Sequence, residues 1–265
     1  MRAKKQLGQN FLHSSSILRK IVEAAKVGEN DVVLEIGPGK GALTEELLLK
    51  AKKVVSVEKD PDLIPLLKEK FAAEIDAGKL QLIEGDILDP LLLNSLGFKN
   101  NEFKIVANIP YYITGQIFRL FLSGDVQPTS ITMVIQKEVA ERIVSRDKKE
   151  SILSLAVKAY GTPKYVEKIA ARYFTPEPKV DSAIIFIENI SRKNFTTKKE
   201  EDLFFSILKT SFAHKRKLLI GNLSDLFDKE TLKKTFVSCN IPEKSRAEEI
   251  PIEKWLELVK NLSKN

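Results

Sequence analysis

The chain has few of the side chains that hold metal ions or form covalent crosslinks. It contains one cysteine, Cys239, and two histidines, His13 and His214. A single cysteine excludes an intramolecular disulfide bond, and so few soft ligands fall short of a usual zinc site. We therefore expect no metal centre, and we assign Cys239 no chemical role.

Long apolar runs are missing as well. No stretch reaches the roughly 18 apolar residues of a transmembrane helix, and the basic N-terminus lacks the apolar run of a secretory signal. Hydrophobic residues make up 43% and charged residues 30% of the 265 positions, as in ordinary globular proteins. We expect a cytoplasmic protein without a membrane contact, built from one large domain and a smaller one.

Acidic residues are fewer than basic ones. The chain has 36 aspartates and glutamates and 43 lysines and arginines, which gives a formal charge of +7 and an isoelectric point near 9.2. Such an excess favours a polyanionic partner such as a nucleic acid. A basic surface that is merely solvated gives the same count, so the distribution of the charges has to decide.

Short β-branched runs alternate with helix-period segments from about residue 30 onward, a pattern typical of βαβ units in a parallel sheet. Strands are predicted at residues 32–36, 54–57, 80–83, 103–107 and 131–135, and runs at 165–173 and 183–188 complete the sheet. Helices are predicted near residues 62–73, 114–122 and 151–160. The predicted fold class is α/β, with a mostly parallel sheet.

The pattern changes after residue 190. A polar run at residues 191–202 predicts a linker, and the remainder holds helix-period segments near 204–214, 229–238 and 252–262 with no convincing strand. We expect a catalytic domain over residues 1–190, a linker over 191–202 and a small helical domain over 203–265.

A glycine-rich turn follows the first predicted strand. Its glycines, Gly37, Gly39 and Gly41, stand at alternate positions. Glycines let the backbone approach a ligand closely and present amide donors at the start of a helix. Dinucleotide-binding loops space their glycines as G-x-G-x-x-G, so the alternate spacing favours S-adenosylmethionine. A nicotinamide-dependent dehydrogenase is a distant alternative.

Carboxylates follow the next two predicted strands. Glu58 ends the second strand, where a carboxylate can accept both hydroxyls of a ribose, and Asp86 follows the third, where it can accept an adenine amine. An exposed acid at a strand end and a turn-capping aspartate are the plainer alternatives. The glycine turn before them favours cofactor binding.

The most specific signal is the segment Asn108-Ile109-Pro110-Tyr111 after the fourth strand. An adenine amine is a poor nucleophile because its lone pair is delocalised into the ring. The Asn108 side-chain oxygen and a backbone carbonyl can accept the two amine hydrogens and turn the lone pair toward a methyl donor. Pro110 restricts the backbone, and Tyr111 offers a ring on which the base can stack.

With these motifs, the chain resembles the KsgA family of ribosomal RNA adenine dimethyltransferases along nearly its whole length. The matching segments are residues 5–12, 35–41, 108–111 and 174–182, and residues 212–219 resemble the basic helix of the family. The macrolide-resistance methyltransferases share the Asn-Ile-Pro-Tyr type of motif but act on the large subunit. One departure is Tyr112, which stands where many relatives have asparagine.

The resemblance implies a class I methyltransferase fold and a role for each matched residue. It implies S-adenosylmethionine contacts for Asn10, Leu12, Gly37, Gly39, Glu58, Asp86 and Asn108. Tyr111 and Phe174 would sandwich the target adenine beside Asn108, and Lys215, Arg216 and Lys217 would bind RNA phosphates. The implied substrate is a pair of neighbouring adenosines in the 3′-terminal hairpin of 16S rRNA in the small ribosomal subunit, methylated by a monomeric enzyme. A ribosome-assembly factor that does not need methylation is the alternative from another class.

Overall fold

A computed structural model describes residues 8–145 and 148–263. The chain forms two compact units, one of Met1–Ala140 with Pro163–Ile190 and one of Glu141–Thr162 with Ser191–Asn265. The expected limits 1–190 and 203–265 differ from this division, because residues 141–162 group with the helical C-terminal segment. Of the predicted N-terminal segment, Lys5, Gln6 and Leu7 lie outside the described residues.

The first unit is built on a seven-stranded sheet in the order β4-β3-β2-β5-β6-β9-β7. Its strands are β2 (Val32–Ile36), β3 (Lys53–Glu58), β4 (Leu80–Glu84), β5 (Lys104–Asn108), β6 (Ser130–Gln136), β7 (Thr162–Ile169) and β9 (Ser182–Glu188). Strands β4, β3, β2, β5 and β6 are parallel, and β9 runs antiparallel to β6. The predicted α/β class with a mostly parallel sheet is confirmed.

Burial on both faces explains why the central strands of this sheet are visible in the sequence, whereas the edge strand β7 alternates between exposed and partly buried residues. The seven residues of β6 are buried except the last, and β2 is buried from its second residue on. Strands covered on both faces consist of continuous apolar runs rather than alternating ones.

A second, two-stranded sheet pairs β1 (Phe11–Leu12) with β8 (Phe174–Thr175).

Helices cover the sheet. They are α1 (Ser15–Ala24), α2 (Ala42–Leu48), α3 (Ile64–Lys70), α4 (Ala72–Asp76), α5 (Pro90–Ser95), α6 (Thr114–Leu122) and α7 (Lys137–Ile143). Helix α6 matches its predicted bounds, whereas the helix predicted at 62–73 is divided at Phe71. Sequence reasoning missed α1, although the spacing of its buried Ile17, Leu18, Ile21 and Val22 is that of an amphipathic helix.

The strand order reverses between β2 and β5. Strands β3 and β4 extend the sheet on one side of β2, and β5 and β6 extend it on the other. In open parallel sheets a crevice opens at this point, beyond the carboxyl ends of the strands. The glycine turn follows β2, and Asn108 is the last residue of β5, so both lie at this crevice.

The second unit is helical over its described residues. It contains α8 (Ile152–Tyr160), α9 (Lys198–Ser211), α10 (Leu219–Leu223), α11 (Lys229–Ser238) and α12 (Ile252–Leu262). Helix α9 begins inside the expected linker because Thr197 caps it, accepting the Glu200 N–H at 3.2 Å. Glu201 is buried and accepts a hydrogen bond from the Tyr160 hydroxyl, which fixes the start of α9 to α8.

Candidate active site

A cavity of about 770 Å³ opens at the carboxyl ends of β2, β3 and β5. Every site residue that was predicted in the first unit lines it: Asn10, Leu12, Gly37, Gly39, Glu58, Asp86, Asn108, Tyr111 and Phe174. These residues come from separate parts of the sequence. The topology therefore brings the predicted cofactor and base-binding residues into one pocket.

The glycine turn forms the floor of this cavity and joins β2 to α2. The Gly37 N–H donates to the Val57 carbonyl at 2.9 Å, and Gly37 has a positive φ of 68° with nothing within 4 Å of the position a Cβ would take. At Gly41 (φ 78°) a Cβ would lie 2.5 Å from the Phe71 ring. The first glycine thus leaves the floor open, and the last permits close packing of α2 on the α3–α4 junction.

Glu58 lies at the centre of the site and is 5% exposed. Its Oε2 accepts the Gly39 N–H at 3.0 Å, and its Oε1 accepts the Asp60 N–H at 2.8 Å. Burial raises the pKa of Glu58, against the lowering effect of these two N–H donors. Each carboxylate oxygen keeps a second lone pair. The fixed carboxylate can therefore still accept two hydroxyl groups, as the sequence-based hypothesis for a ribose requires.

Asp86 also lines the cavity, but its carboxylate already has partners. Its Oδ2 accepts from Lys59 Nζ at 2.7 Å, and its Oδ1 accepts the Leu88 N–H at 3.0 Å. Burial alone would raise the pKa of Asp86, and the hydrogen bonds from Lys59 and Leu88 lower it. Lys59 was not foreseen, because the ion pair depends on the parallel register of β3 and β4.

Asn108 is held by its amide nitrogen. Its Nδ2 donates to the Asn10 carbonyl at 3.4 Å, and the Asn10 side chain in turn donates to the Gly8 carbonyl at 3.2 Å. Among the described residues no group donates to Asn108 Oδ1. The arrangement leaves this oxygen as the acceptor that the proposed chemistry needs.

The two aromatic residues of the predicted base site differ in exposure. Tyr111 is half-buried, and its hydroxyl hydrogen-bonds to Ser182 Oγ at 2.7 Å, which fixes the ring against β9. Phe174 is 3% exposed and packs in the core, and β8 aligns it with Leu12 of β1. Tyr111 therefore offers the more accessible ring, while Phe174 contributes a mostly covered wall.

Beneath the glycine turn lies a buried carboxyl that sequence reasoning missed. Glu35 is 1% exposed, and its Oε2 accepts from the hydroxyls of Thr44 at 2.7 Å and Ser56 at 2.6 Å. Its Oε1 has no hydrogen-bond partner among the described residues. Burial raises the pKa of Glu35 to about 7, despite the two hydroxyl donors. A charged residue inside an otherwise apolar strand was the available signal.

The donor set fits S-adenosylmethionine. Among the described residues, the carboxylates of Glu45, Glu46, Glu58 and Asp86 line the cavity together with Lys40, Lys59 and Lys70. Lys59 pairs with Asp86 and Lys70 with Glu45, so the carboxylates are in slight excess, which suits a positively charged sulfonium. Glu58 presents a carboxylate for a ribose, and the turn at Gly37 has open space above it. Across residues 8–145 and 148–263, no cluster of side chains suited to a metal ion was found, and no helix is long and apolar enough to cross a membrane.

The predicted RNA-binding residues lie in the second unit. Lys215, Arg216 and Lys217 are exposed in a turn between α9 and α10, where a basic helix was expected. The buried Asn222 side chain donates to the carbonyls of Ser211, the last residue of α9, at 2.7 Å and of His214 in the turn at 3.2 Å. Asn222 therefore holds the basic turn in place, a role that was not apparent from the sequence.

Comparisons with known proteins agree on one family. The model of the ribosomal RNA adenine dimethylases matches residues 1–264. The chain is 40% identical to the ribosomal RNA small subunit methyltransferase A of Fusobacterium nucleatum subsp. nucleatum over 260 residues, which is 97% of this chain and 96% of the relative.

Solved structures agree with this assignment. A dimethyladenosine transferase from Plasmodium falciparum is similar with a TM-score of 0.80 and 27% identity over 96% of this chain and 98% of that one. The 23S rRNA methyltransferase ErmE is similar with a TM-score of 0.76 and 26% identity over 96% of this chain and all (100%) of that one. The predicted methyltransferase fold is confirmed, and the chain belongs to the ribosomal RNA adenine dimethylase family.

Proposed function

We propose that the chain dimethylates the exocyclic amines of two adjacent adenosines in the 3′-terminal hairpin of 16S rRNA, with S-adenosylmethionine as the methyl donor. The observation that carries the proposal is Asn108 at the end of β5, whose side-chain oxygen accepts from no described residue, in a cavity that also holds Glu58 and Tyr111. The small-subunit name of the 40% identical relative supports the choice of RNA.

The chain's own residues prepare the amine for transfer. When bound, S-adenosylmethionine supplies an electrophilic methyl group on a positively charged sulfur. Asn108 Oδ1 accepts one amine hydrogen and thereby orients the nitrogen lone pair. The Tyr111 ring, fixed through Ser182, stacks on the base and holds it in place. Alignment at a near-attack distance provides much of the rate, and the methylated nitrogen then releases a proton to water.

Glu58 and the glycine turn have the complementary task. The Glu58 carboxylate, held by the N–H groups of Gly39 and Asp60, accepts the ribose hydroxyls of the cofactor. Asn10, Leu12, Gly37 and Asp86 complete this proposed binding site. Lys215, Arg216 and Lys217 bind RNA phosphates from the second unit. The proposal implies a monomer that acts in the cytoplasm, on the small subunit or its precursor.

A large-subunit substrate is the second candidate, because ErmE shares the fold over all (100%) of its length. The test offers labelled S-adenosylmethionine and purified protein to small subunits that lack adenosine methylation, with large subunits in parallel, followed by nucleoside mapping. Dimethyladenosine in the small-subunit 3′ hairpin is expected. Transfer confined to large subunits would replace the proposal with the second candidate.

A methylation-independent role in ribosome assembly can coexist with this activity. Normal small-subunit assembly in cells that carry only a methylation-deficient Asn108 variant would support such a role. Loss of assembly together with methylation would count against it.

A further inference from the structure

One face of the segment after Asn108 carries aromatic and polar side chains that are exposed in the described structure. Tyr112 lies in the short turn that leads into α6 and is 61% exposed, and Gln116 and Arg119 on α6 are exposed too. Gln116 and Arg119 are three residues apart, which places them on one side of α6, and Tyr112 lies in the turn directly before the helix. We call these three residues the α6 face.

The α6 face has unused binding capacity. Within residues 8–145 and 148–263, none of its three side chains forms a hydrogen bond or ion pair. Tyr111, the preceding residue, differs because its hydroxyl is bound to Ser182. An exposed phenol, an amide and a guanidinium together provide a stacking surface, hydrogen-bonding groups and a positive charge.

The face is continuous with the proposed catalytic cavity. Tyr112 and Gln116 line the same cavity as Asn108, so a strand that delivers a base to Asn108 passes these two side chains. The Tyr112 ring is supported from behind: a Cβ on Gly8 would lie only 3.3 Å from its Cε1. A ring that is packed on one side and exposed on the other can stack with little loss of conformational freedom.

We propose that the α6 face binds the RNA strand beside the target adenosine, an inference that rests on the proposed function. Tyr112 stacks on a neighbouring base, Gln116 hydrogen-bonds to a base edge or a ribose hydroxyl, and Arg119 neutralises a phosphate. Single-stranded RNA is recognised by this combination of aromatic stacking, base-edge hydrogen bonds and cationic contacts.

The experiment measures binding of the full chain to unmethylated small subunits over a range of salt concentrations. The variants are Tyr112→Leu, Tyr112→Phe and Arg119→Ala. Arg19→Ala is the matched control, since Arg19 is an exposed arginine of α1 that does not line the cavity. Thermal melting and S-adenosylmethionine affinity are measured for each variant to confirm folding.

Tyr112→Leu keeps an apolar side chain against Gly8 but removes the stacking ring, so binding weakens by about tenfold at every salt concentration. Tyr112→Phe retains the parent affinity. Arg119→Ala lowers the slope of log affinity against log salt by about 0.7, the value for one phosphate contact on a single strand. Arg19→Ala leaves the slope unchanged.

If Tyr112→Leu bound small subunits as tightly as the parent, the stacking contact would be refuted. It would also be refuted if Tyr112→Phe lost as much affinity as Tyr112→Leu. The phosphate contact would be refuted by an Arg119→Ala slope equal to that of Arg19→Ala. Because binding is measured without transfer, these outcomes are separate from the methylation assay. Absence of methyl transfer by the parent would contradict the proposed function, while the binding data would still decide the role of the α6 face.

Discussion

At the scale of single residues, the Asn108 acceptor oxygen makes the sharpest prediction. Asn108→Ala removes the group that holds the target amine, while Glu58 and the glycine turn remain. Loss of one positioned hydrogen-bonding group in an active site lowers turnover by about 100-fold or more. Single-turnover transfer to unmethylated small subunits measures the effect, with cofactor affinity and the melting temperature recorded beside it. Transfer at the parent rate would show that Asn108 does not hold the amine.

Glu35 predicts how stability depends on pH. Its pKa is raised from 4.5 to about 7 by burial, so the folded chain holds a proton that the unfolded chain releases between these values. Its contribution to stability is therefore present at low pH and is lost as the pH rises through 7, by about 3 kcal/mol in all. Above that range the contribution of Glu35 is constant.

The corresponding variant is Glu35→Gln, which carries no titrating group. Its free energy of unfolding should change less with pH between 4.5 and 7 than that of the parent. Glu45→Gln is the control, because it removes a carboxylate nearby on α2 whose side chain is 55% exposed and pairs with Lys70. Denaturant unfolding at several pH values measures all three proteins. If the unfolding free energy of Glu35→Gln changed with pH as steeply as that of the parent, the pH dependence would come from other groups.

At the scale of elements, the glycine turn separates backbone strain from steric packing. Gly37 and Gly41 both have positive φ, but of these two only Gly41 lacks room for a Cβ, which would lie 2.5 Å from the Phe71 ring and 3.1 Å from Leu67 Cδ2. Alanine in this conformation costs about 1 to 2 kcal/mol. We expect Gly37→Ala to lose that much stability. Gly41→Ala should lose about 1 to 3 kcal/mol more, because overpacking adds a cost of this size.

The double variant Gly41→Ala with Phe71→Leu tests the cause of the larger loss. A smaller side chain at position 71 relieves the shorter contact and leaves the one with Leu67, so the penalty of Gly41→Ala measured in the Phe71→Leu background should fall toward that of Gly37→Ala. Thermal and denaturant unfolding give the stabilities of the parent, the two single variants and the double variant. A Gly41→Ala penalty that is the same in both backgrounds would mean that Phe71 is not the obstacle.

Secondary structure was predictable from the sequence where burial requires apolar residues. It was less predictable where single contacts between distant residues determine the local structure. Strands in the middle of the sheet, such as β2 and β6, appear as apolar runs because both of their faces are covered. The residues at the carboxyl ends of β2, β3 and β5 meet in one cavity because these strands are parallel. The turn at Lys215 to Lys217 was expected to be helical, because local propensity cannot reveal the hydrogen bonds from Asn222. The Lys59 and Asp86 pair joins residues 27 apart and follows from strand register.

At the scale of the whole molecule, the excess of basic residues acts through its placement. The formal charge is +7, but many lysines are paired: Lys234, for example, contacts Glu230 at 2.8 Å on α11. Lys215, Arg216 and Lys217 are exposed, and the buried Asn222 holds their turn in place. The proposed function therefore predicts that these three residues contribute more to RNA binding than their share of the net charge.

Two triple variants that remove the same charge test this prediction. Alanine at Lys215, Arg216 and Lys217 should lower the slope of log affinity for small subunits against log salt by about 2 to 3, since each lost phosphate contact contributes about 0.7 to 0.9. Alanine at Lys229, Lys233 and Lys234 of α11 reduces the net charge by the same amount. This variant should keep most of the parent's slope of log affinity against log salt. If the two variants lowered the slope by the same amount, RNA binding would depend on net charge alone, and the basic turn would have no particular place in the footprint.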